Sequence, residues 1–95
     1  MLAAGKAAIE GALRHVSLEV AERGVTINTV ALGQFVTAAQ HASPEVIASV
    51  RSRVPMGRPG ELEEAASAIG WLVSDDAGYV TGQVIHVNGG SYQGR

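Results

Sequence analysis

The part of this sequence best suited to chemistry is the end of an apolar run that stops at Gly33. A strand is predicted over residues 25–31, because the run is rich in β-branched side chains and is bounded by glycines. In a parallel α/β sheet, small molecules bind just beyond the carboxyl ends of the strands. Gly33 stands at such an end, so a ligand site is expected there first.

The other polar residues do not form a recognisable catalytic set. Glu10 and Glu19 fall on different turns of one predicted helix, which argues against paired carboxylates for acid–base catalysis. Asn28 offers a catalytic amide, but in the middle of a strand a structural hydrogen bond is the favoured interpretation. The histidines are too dispersed to predict a metal site, and each is interpreted as a surface or hydrogen-bonded side chain: His15, His41 and His86.

The charge distribution predicts neither a nucleic-acid partner nor a membrane. The formal net charge is −2 and the basic residues are scattered, which gives no electrostatic footprint for nucleic acid. Arg51, Arg53 and Arg58 could steer an acidic carrier protein, although a solvated helix face is the favoured interpretation. There is no cysteine, and no apolar run reaches the roughly 18 residues of a membrane helix. Because nothing resembles a signal peptide, a cytoplasmic location is expected.

Hydrophobic periodicity predicts the helices that position these residues. The first helix is expected over residues 3–23, with a left-handed cap at Gly24. Its two faces are an apolar stripe of Ile9, Leu13, Val16 and Val20, and a small-residue face of Ala4, Ala8 and Ala12. A second helix begins at Ser43 as N-cap and has the stripe Val46, Ile47, Val50 and Val54. A third is predicted over residues 62–73.

A second short strand completes the predicted order of helix, strand, helix, helix, strand. It contains Val84, Ile85 and Val87, and it is closed by the turn at Asn88–Gly90. Two strands joined by a long helical crossover imply parallel pairing and an α/β fold. Both strands are almost wholly apolar, as central strands are, so the pair alone would expose unpaired edges. The physics therefore predicts that part of the sheet is missing.

Several segments of the sequence carry a family resemblance: Lys6–Gly11, Gly24–Val30, Gly57–Gly60 followed by Glu63–Ala66, and Ser74–Gly90. Together they resemble the C-terminal portion of a classical short-chain dehydrogenase/reductase, in the pattern of the 3-oxoacyl-acyl-carrier-protein reductase branch. The resemblance implies that residues 1–95 are the C-terminal part of one such domain. The implied fold is a partial Rossmann type, the C-terminal half of a doubly wound parallel sheet with two strands and about three helices.

The family binds NAD or NADP, and the resemblance places Lys6 at the lysine of its Tyr-x-x-x-Lys motif. In the family, that ammonium binds the nicotinamide ribose and lowers the pKa of the tyrosine, which passes a proton to the substrate. Leu2 occupies the tyrosine position, and Tyr79 and Tyr92 match other parts of the pattern. Enoyl reductases of the superfamily place the tyrosine further upstream, before Met1. A misplaced start, or a chain cut inside the motif, is therefore an open alternative.

The resemblance also gives a role to the loop after the first strand. Gly33, Phe35 and Thr37 match the family's Pro-Gly-x-x-x-Thr loop, which contacts the nicotinamide carboxamide and the pyrophosphate, and Leu32 takes the place of the proline. The alternative is an ordinary strand-to-loop turn. The family's glycine-rich phosphate turn, its cofactor-selecting residue and its catalytic serine have no match in this sequence.

Two functions follow from the resemblance. The first is an NAD(P)-dependent oxidoreductase that interconverts a small-molecule carbonyl and an alcohol, present as a truncated chain that is inactive alone. It would work only if a longer gene product or a separate chain supplied the missing half, so whether this chain is itself an enzyme stays open. The second is a non-catalytic remnant or assembly partner, which forms homo-oligomers or binds intact homologues through the first helix and the C-terminal strand.

Overall fold

The computed structural model describes residues 2–35 and 43–91. Its elements are α1 (Leu2–Val20), β1 (Thr29–Leu32), α2 (Pro44–Arg53), α3 (Leu62–Leu72) and β2 (Val84–Val87), with short 3₁₀ turns at Ala21–Arg23 and Asp75–Ala77. The predicted order and the α/β class are confirmed. Predictions that fall on Thr37, His41 and Tyr92 lie outside the described residues.

The two strands form a parallel pair, as predicted. β1 and β2 are neighbours in a two-stranded sheet. The Thr29 N–H donates to the Gln83 carbonyl at 2.9 Å, and the Gly33 N–H donates to the Val87 carbonyl at 2.9 Å. Because the partner advances along the chain in the same direction as the donor, the pairing is parallel.

The chain forms two compact units, Met1–Val30 with Gly70–Ile85 and Ala31–Ile69 with His86–Arg95. The first unit is built on Ser17, Leu72 and Ala77, whose exposed fractions are 2%, 7% and 1%. The Ser17 hydroxyl donates to the Arg14 carbonyl at 2.6 Å, so this buried polar group is satisfied within its own helix. Among the described residues, no helix has both the length and the apolar character needed to cross a membrane.

The buried face of α1 differs from the predicted stripe. Ile9 and Val16 are 60% and 40% exposed, whereas Leu13 and Val20 are half-buried as predicted. Ser17 takes the central buried position because its small side chain admits the backbone of Gly82, where a Cβ would lie 2.9 Å from the Ser17 hydroxyl oxygen. Close approach of backbone to helix, rather than hydrophobicity alone, therefore sets which face is covered.

The first strand begins later than predicted. Residues 25–28 are not in the ladder, and β1 runs from Thr29 to Leu32 instead of over residues 25–31. The Ile27 N–H donates to the Thr81 hydroxyl at 3.0 Å, and the Ile27 carbonyl accepts from the Gly82 N–H at 2.8 Å. The backbone there is paired with a loop, and apolar β-branched composition does not distinguish that pairing from a strand. The predicted cap at Gly24 is confirmed, with φ of 75°.

The second unit buries one residue of α2, one residue just after it and one residue of α3. Ser43 caps α2 by accepting from the Val46 N–H at 3.4 Å, as predicted. Val50, Val54 and Ala65 are 2%, 3% and 8% exposed and form the core. The rest of the predicted apolar stripes is only partly covered, since the exposed large side chains in this unit include Ile47, Leu62 and Ile69.

Candidate functional site

The loop that follows β1, here the strand-end loop (Gly33–Phe35), is held from two directions. On one side the Gly33 N–H donates to the Val87 carbonyl at the end of β2, at 2.9 Å. On the other side the Gly60 N–H donates to the Gln34 carbonyl at 2.8 Å, and Phe35 pairs with Gly60 in an isolated parallel bridge. The strand-end loop thus sits at the carboxyl ends of two parallel strands, where α/β folds bind ligands.

Gly33 is required at its position by close contact with Asn88. A Cβ at Gly33 would lie 2.5 Å from the Asn88 Cβ and 2.8 Å from the Asn88 Cα. Both distances are shorter than van der Waals contact, so a larger residue would force the two segments apart. The glycine predicted from the motif is therefore explained by backbone approach rather than by its own dihedral angles.

The Asn88–Gly90 turn joins the strand-end loop to the segment after α2. The Asn88 Oδ1 accepts from the Gly90 N–H at 3.0 Å, and Gly89 and Gly90 have φ of 61° and 91°. The Met56 N–H donates to the Gly89 carbonyl at 3.0 Å. Left-handed dihedral angles at both positions favour glycine, which explains the paired glycines after Asn88.

A bidentate ion pair closes the turn before α3. Arg58 donates through Nη1 to Glu64 Oε1 at 2.8 Å and through Nη2 to Glu64 Oε2 at 3.0 Å. Glu64 Oε1 also accepts from the Glu61 N–H at 2.9 Å. The Arg58 hydrogen bond, followed by the Glu61 N–H, lowers the pKa of Glu64 to about 2, and the same pairing raises the pKa of Arg58.

These segments surround a cavity of about 300 Å³ in the second unit. It is lined by Gln34, Phe35, Met56, Arg58, Gly60, Glu64, His86, Val87 and the Asn88–Gly90 turn. The aromatic, thioether and aliphatic side chains supply apolar walls, and the amides and charged groups supply a few directional contacts. Cavities of this size and composition bind small organic molecules.

The structure brings some of the predicted site residues together. Gly33 and Phe35 lie in the strand-end loop, and Phe35 lines the cavity. Leu32 ends β1 and is 52% exposed. Lys6 belongs to the first unit, where it is exposed on α1, and Leu2 is the first residue of that helix. One helical turn separates the two, which is the spacing that the family motif needs.

The structural interpretation of Asn28 is confirmed. Its Nδ2 donates to the Val80 carbonyl at 3.0 Å, and its Oδ1 accepts from the Gln83 N–H at 3.1 Å. Asn28 precedes β1 rather than standing in its middle, and it anchors the loop that leads into β2. Both polar ends of the amide are therefore committed to the fold.

Sequence reasoning missed the supports of the strand-end loop. The sequence identifies Gly60, Arg58 and Glu64 only as parts of a motif. The interpretation of Arg58 as part of a solvated helix face is wrong, because Arg58 lies in the turn between α2 and α3 and pairs with Glu64. The available signal was the spacing of an arginine and a glutamate on either side of a Pro-Gly turn. Nothing in that spacing indicates which distant loop the turn contacts.

Known proteins match this chain over almost its whole length. Residues 1–92 match the family model described as enoyl-(acyl carrier protein) reductase. The 3-oxoacyl-[acyl-carrier-protein] reductase FabG of Haemophilus influenzae is 46% identical over 90 residues, which cover 94% of this chain and 37% of that protein. Glucose 1-dehydrogenase of Gluconobacter oxydans is 42% identical over 92% of this chain and 34% of its own length.

A solved structure has the same fold. YwfH, an NADPH-dependent reductase involved in bacilysin biosynthesis, superposes with a TM-score of 0.83 at 30% identity. The match covers 94% of this chain and 38% of that one. The chain therefore spans little more than a third of the length of the relatives it matches. With the strand-end loop, the paired parallel strands and the family match in agreement, the chain belongs to the short-chain dehydrogenase/reductase family.

Proposed function

We propose that this chain forms the nicotinamide-facing part of an NAD(P)-dependent oxidoreductase that interconverts a carbonyl and an alcohol. The observation that carries the proposal is the strand-end loop, which is fixed at the carboxyl ends of two parallel strands beside a cavity of about 300 Å³. A site in that place suits a flat, polar ring held by backbone groups. The relatives are named as reductases and a dehydrogenase, which supports the same reaction class.

The residues present fit one end of the cofactor only. Gly33 and Phe35 offer backbone groups at the strand end, and Lys6 offers an exposed ammonium for ribose hydroxyls. No glycine-rich turn of the type that holds a dinucleotide phosphate follows a strand in these 95 residues. When bound, the nicotinamide supplies or accepts the hydride. This chain contributes positioning and a cation, because Leu2 has no proton to transfer.

The proposed consequence is a chain that binds a nicotinamide weakly and has no reductase activity alone. Activity would require the phosphate-binding half and a tyrosine to be supplied from elsewhere. The substrate is proposed as a small-molecule carbonyl or alcohol.

A second candidate function is assembly with an intact homologue. It is favoured by the exposed apolar side chains of α1, where Ile9 and Leu18 are 60% and 74% exposed. The small residues Ala4, Ala8 and Ala12 are exposed on the same helix and would let another helix approach closely. Exposed apolar surface of this kind is typical of protein–protein contacts.

The two halves of the dinucleotide, used as separate ligands, test the primary proposal. The ¹⁵N-labelled chain is titrated with nicotinamide mononucleotide and, separately, with ADP, and amide shifts are followed. We expect the mononucleotide to shift the amides of Gly33–Phe35 at millimolar concentration, and ADP to leave them unshifted. Larger shifts with ADP, or micromolar affinity for NADPH, would contradict the proposal. Mixing the chain with purified FabG of Escherichia coli and measuring masses by native mass spectrometry tests the alternative.

A further inference from the structure

Gly60 is the contact through which the turn before α3 reaches the strand-end loop. Its N–H donates to the Gln34 carbonyl at 2.8 Å, and it pairs with Phe35 in the isolated bridge. A Cβ at Gly60 would lie 2.5 Å from Cε2 and 2.7 Å from Cζ of Phe35, so the ring lies directly against this glycine. Movement of Gly60 would therefore move both the backbone and the ring of the loop.

The Arg58–Glu64 ion pair joins the two ends of the turn that contains Gly60. Arg58 precedes the glycine and Glu64 follows it, and the two side chains join through hydrogen bonds of 2.8 and 3.0 Å. Arg58 Nη1 also donates to the Pro59 carbonyl at 3.1 Å, and Glu64 Oε1 accepts from the Glu61 N–H at 2.9 Å. The two immediate neighbours of Gly60, Pro59 and Glu61, are thus each hydrogen-bonded to one of the two charged side chains.

We propose that Arg58 and Glu64 are positioning residues, which set the strand-end loop through Gly60. The pair holds the Pro59–Glu61 turn in one conformation, that turn places the Gly60 N–H, and the N–H fixes the Gln34 carbonyl and the adjacent Phe35. The functional part of this inference rests on the proposed function, in which the backbone of this loop holds the nicotinamide.

Because the pair is exposed, it can position the turn without contributing much to the stability of the whole chain. The Arg58 and Glu64 side chains are 46% and 45% exposed, and ion pairs in contact with solvent contribute little to the free energy of unfolding. Bidentate arginine–carboxylate geometry, in contrast, constrains direction strongly. Loss of the pair should therefore loosen the turn and the strand-end loop while the core of Val50, Val54 and Ala65 stays folded.

Amide hydrogen exchange of the ¹⁵N-labelled chain without any ligand tests the positioning. R58Q and E64Q are compared with the wild type, with the charge swap R58E/E64R as rescue and R53Q as a matched control. Arg53 is an exposed arginine on α2 whose Nε donates to the nearby Ser49 carbonyl at 3.4 Å. We expect Gly60 exchange to rise about tenfold in both single variants, to recover in the swap and to stay unchanged in R53Q.

Two further readouts decide the outcome. Unchanged shifts of the Val50 and Val54 methyl groups establish that the variants are folded. If Gly60 exchange and the Phe35 ring resonances stay at wild-type values in R58Q and E64Q, the proposal is wrong. Equal rises at Gly60 and throughout α2 would also overturn it, because they would indicate general loosening.

Ligand binding separates this inference from the proposed function. Nicotinamide mononucleotide should bind R58Q about fivefold more weakly than wild type, as expected when a preorganised loop is loosened, and should bind the swap R58E/E64R as tightly as wild type. Because Arg58 itself lines the cavity, weak binding by both R58Q and the swap would instead mean that the Arg58 cation contacts the ligand directly, and positioning would be wrong. If the wild type shows no shift with the mononucleotide but Gly60 exchange rises in R58Q, positioning stands and the proposed function fails. If the mononucleotide binds all variants equally, Arg58 does not position the ligand loop.

Discussion

The Cα of Gly33 faces Asn88 so closely that a methyl group at Gly33 would lie 2.5 Å from the Asn88 Cβ. The residue just past the end of β1 and the residue just past the end of β2 are thus in close contact. The hydrogen bond from the Gly33 N–H to the Val87 carbonyl depends on the same close approach of the two segments.

Replacing Gly33 with alanine should destabilise the chain by about 1–3 kcal/mol, the range found for overpacking in closely packed segments. The added methyl group would overlap both the Cβ and the Cα of Asn88, so a side-chain rotation of Asn88 alone does not remove the clash. Urea denaturation followed by Trp71 fluorescence measures the change. G5A is the matched control, because a Cβ there meets nothing within 4 Å and replaces a helical glycine. We expect G5A to stabilise by about 1 kcal/mol. Equal effects of the two substitutions would contradict the close contact.

Gly60 and Phe35 should be energetically coupled. G60A places a methyl group 2.5 Å from the Phe35 ring, so the ring must rotate away or the bridge must open. F35L should relieve part of that clash, which makes the double variant more stable than the sum of the single effects. A double-mutant cycle by chemical denaturation gives the coupling, expected at about 0.5–3 kcal/mol. Additive effects would show that the ring does not lie against Gly60 in solution.

Gly82 should be harder to replace than Gly24, although both have positive φ, 72° and 75°. A Cβ at Gly24 meets nothing within 4 Å, so G24A incurs only the left-handed backbone penalty of about 1–2 kcal/mol. A Cβ at Gly82 also meets the Ser17 hydroxyl oxygen at 2.9 Å. The thermal unfolding temperature of G82A should therefore be lower than that of G24A. Removing the hydroxyl in S17A/G82A should restore part of the difference, and no restoration would rule out the steric cause.

Acid should release Glu64 from its pair with Arg58. Its ordinary pKa of 4.5 is lowered to about 2 by the hydrogen bonds from Arg58 and the Glu61 N–H. A carboxyl with a depressed pKa in the folded state contributes stability that is complete above about pH 4.5 and is lost as the pH falls toward 2. Because the pair is exposed, its contribution to unfolding is small, and the sensitive measurement is the Glu64 carboxyl carbon shift followed by NMR from pH 6 to pH 2. Glu64 should titrate at a higher pH in R58Q than in the wild type. Equal titration in the two proteins would mean that Glu64 is not paired.

Leu2→Tyr alone should not produce reductase activity. The phenol would stand one helical turn from Lys6, but no glycine-rich turn in the sequence would hold the phosphates of the dinucleotide. NADPH consumption with a β-ketoacyl substrate measures this, with Leu2→Phe as the control for the added ring. Turnover by the tyrosine variant above that control would refute the expectation.

The sequence predicted elements well where local chemistry decides them. The Ser43 cap, the Gly24 cap and the parallel order of the strands follow from residue type and spacing, and each is confirmed. The predictions of where β1 begins and of which face of α1 is buried were wrong. Ile27 is hydrogen-bonded to a loop, and the backbone of Gly82 packs against Ser17. Both depend on residues more than fifty positions away in the chain, which no local period reports.

The same limit applies to the site. The motif indicated Gly33 and Phe35 because their place at the end of a strand is visible in the sequence. The roles of Asn88 and Gly60 come from contacts across the fold, and the sequence shows only that these residues belong to turns. Thr37 lies outside the described residues and stays a prediction.

Because the Arg58–Glu64 pair is exposed to solvent, its strength depends on the ionic strength of the buffer. Attraction between solvent-exposed charges weakens as ionic strength rises, since the Debye length shortens from about 10 Å at 0.1 M salt to about 3 Å at 1 M. A loop held through such a pair becomes sensitive to electrolyte even though the core beneath it is not. Sodium chloride concentration thus becomes a means of loosening one side of the cavity without changing a residue.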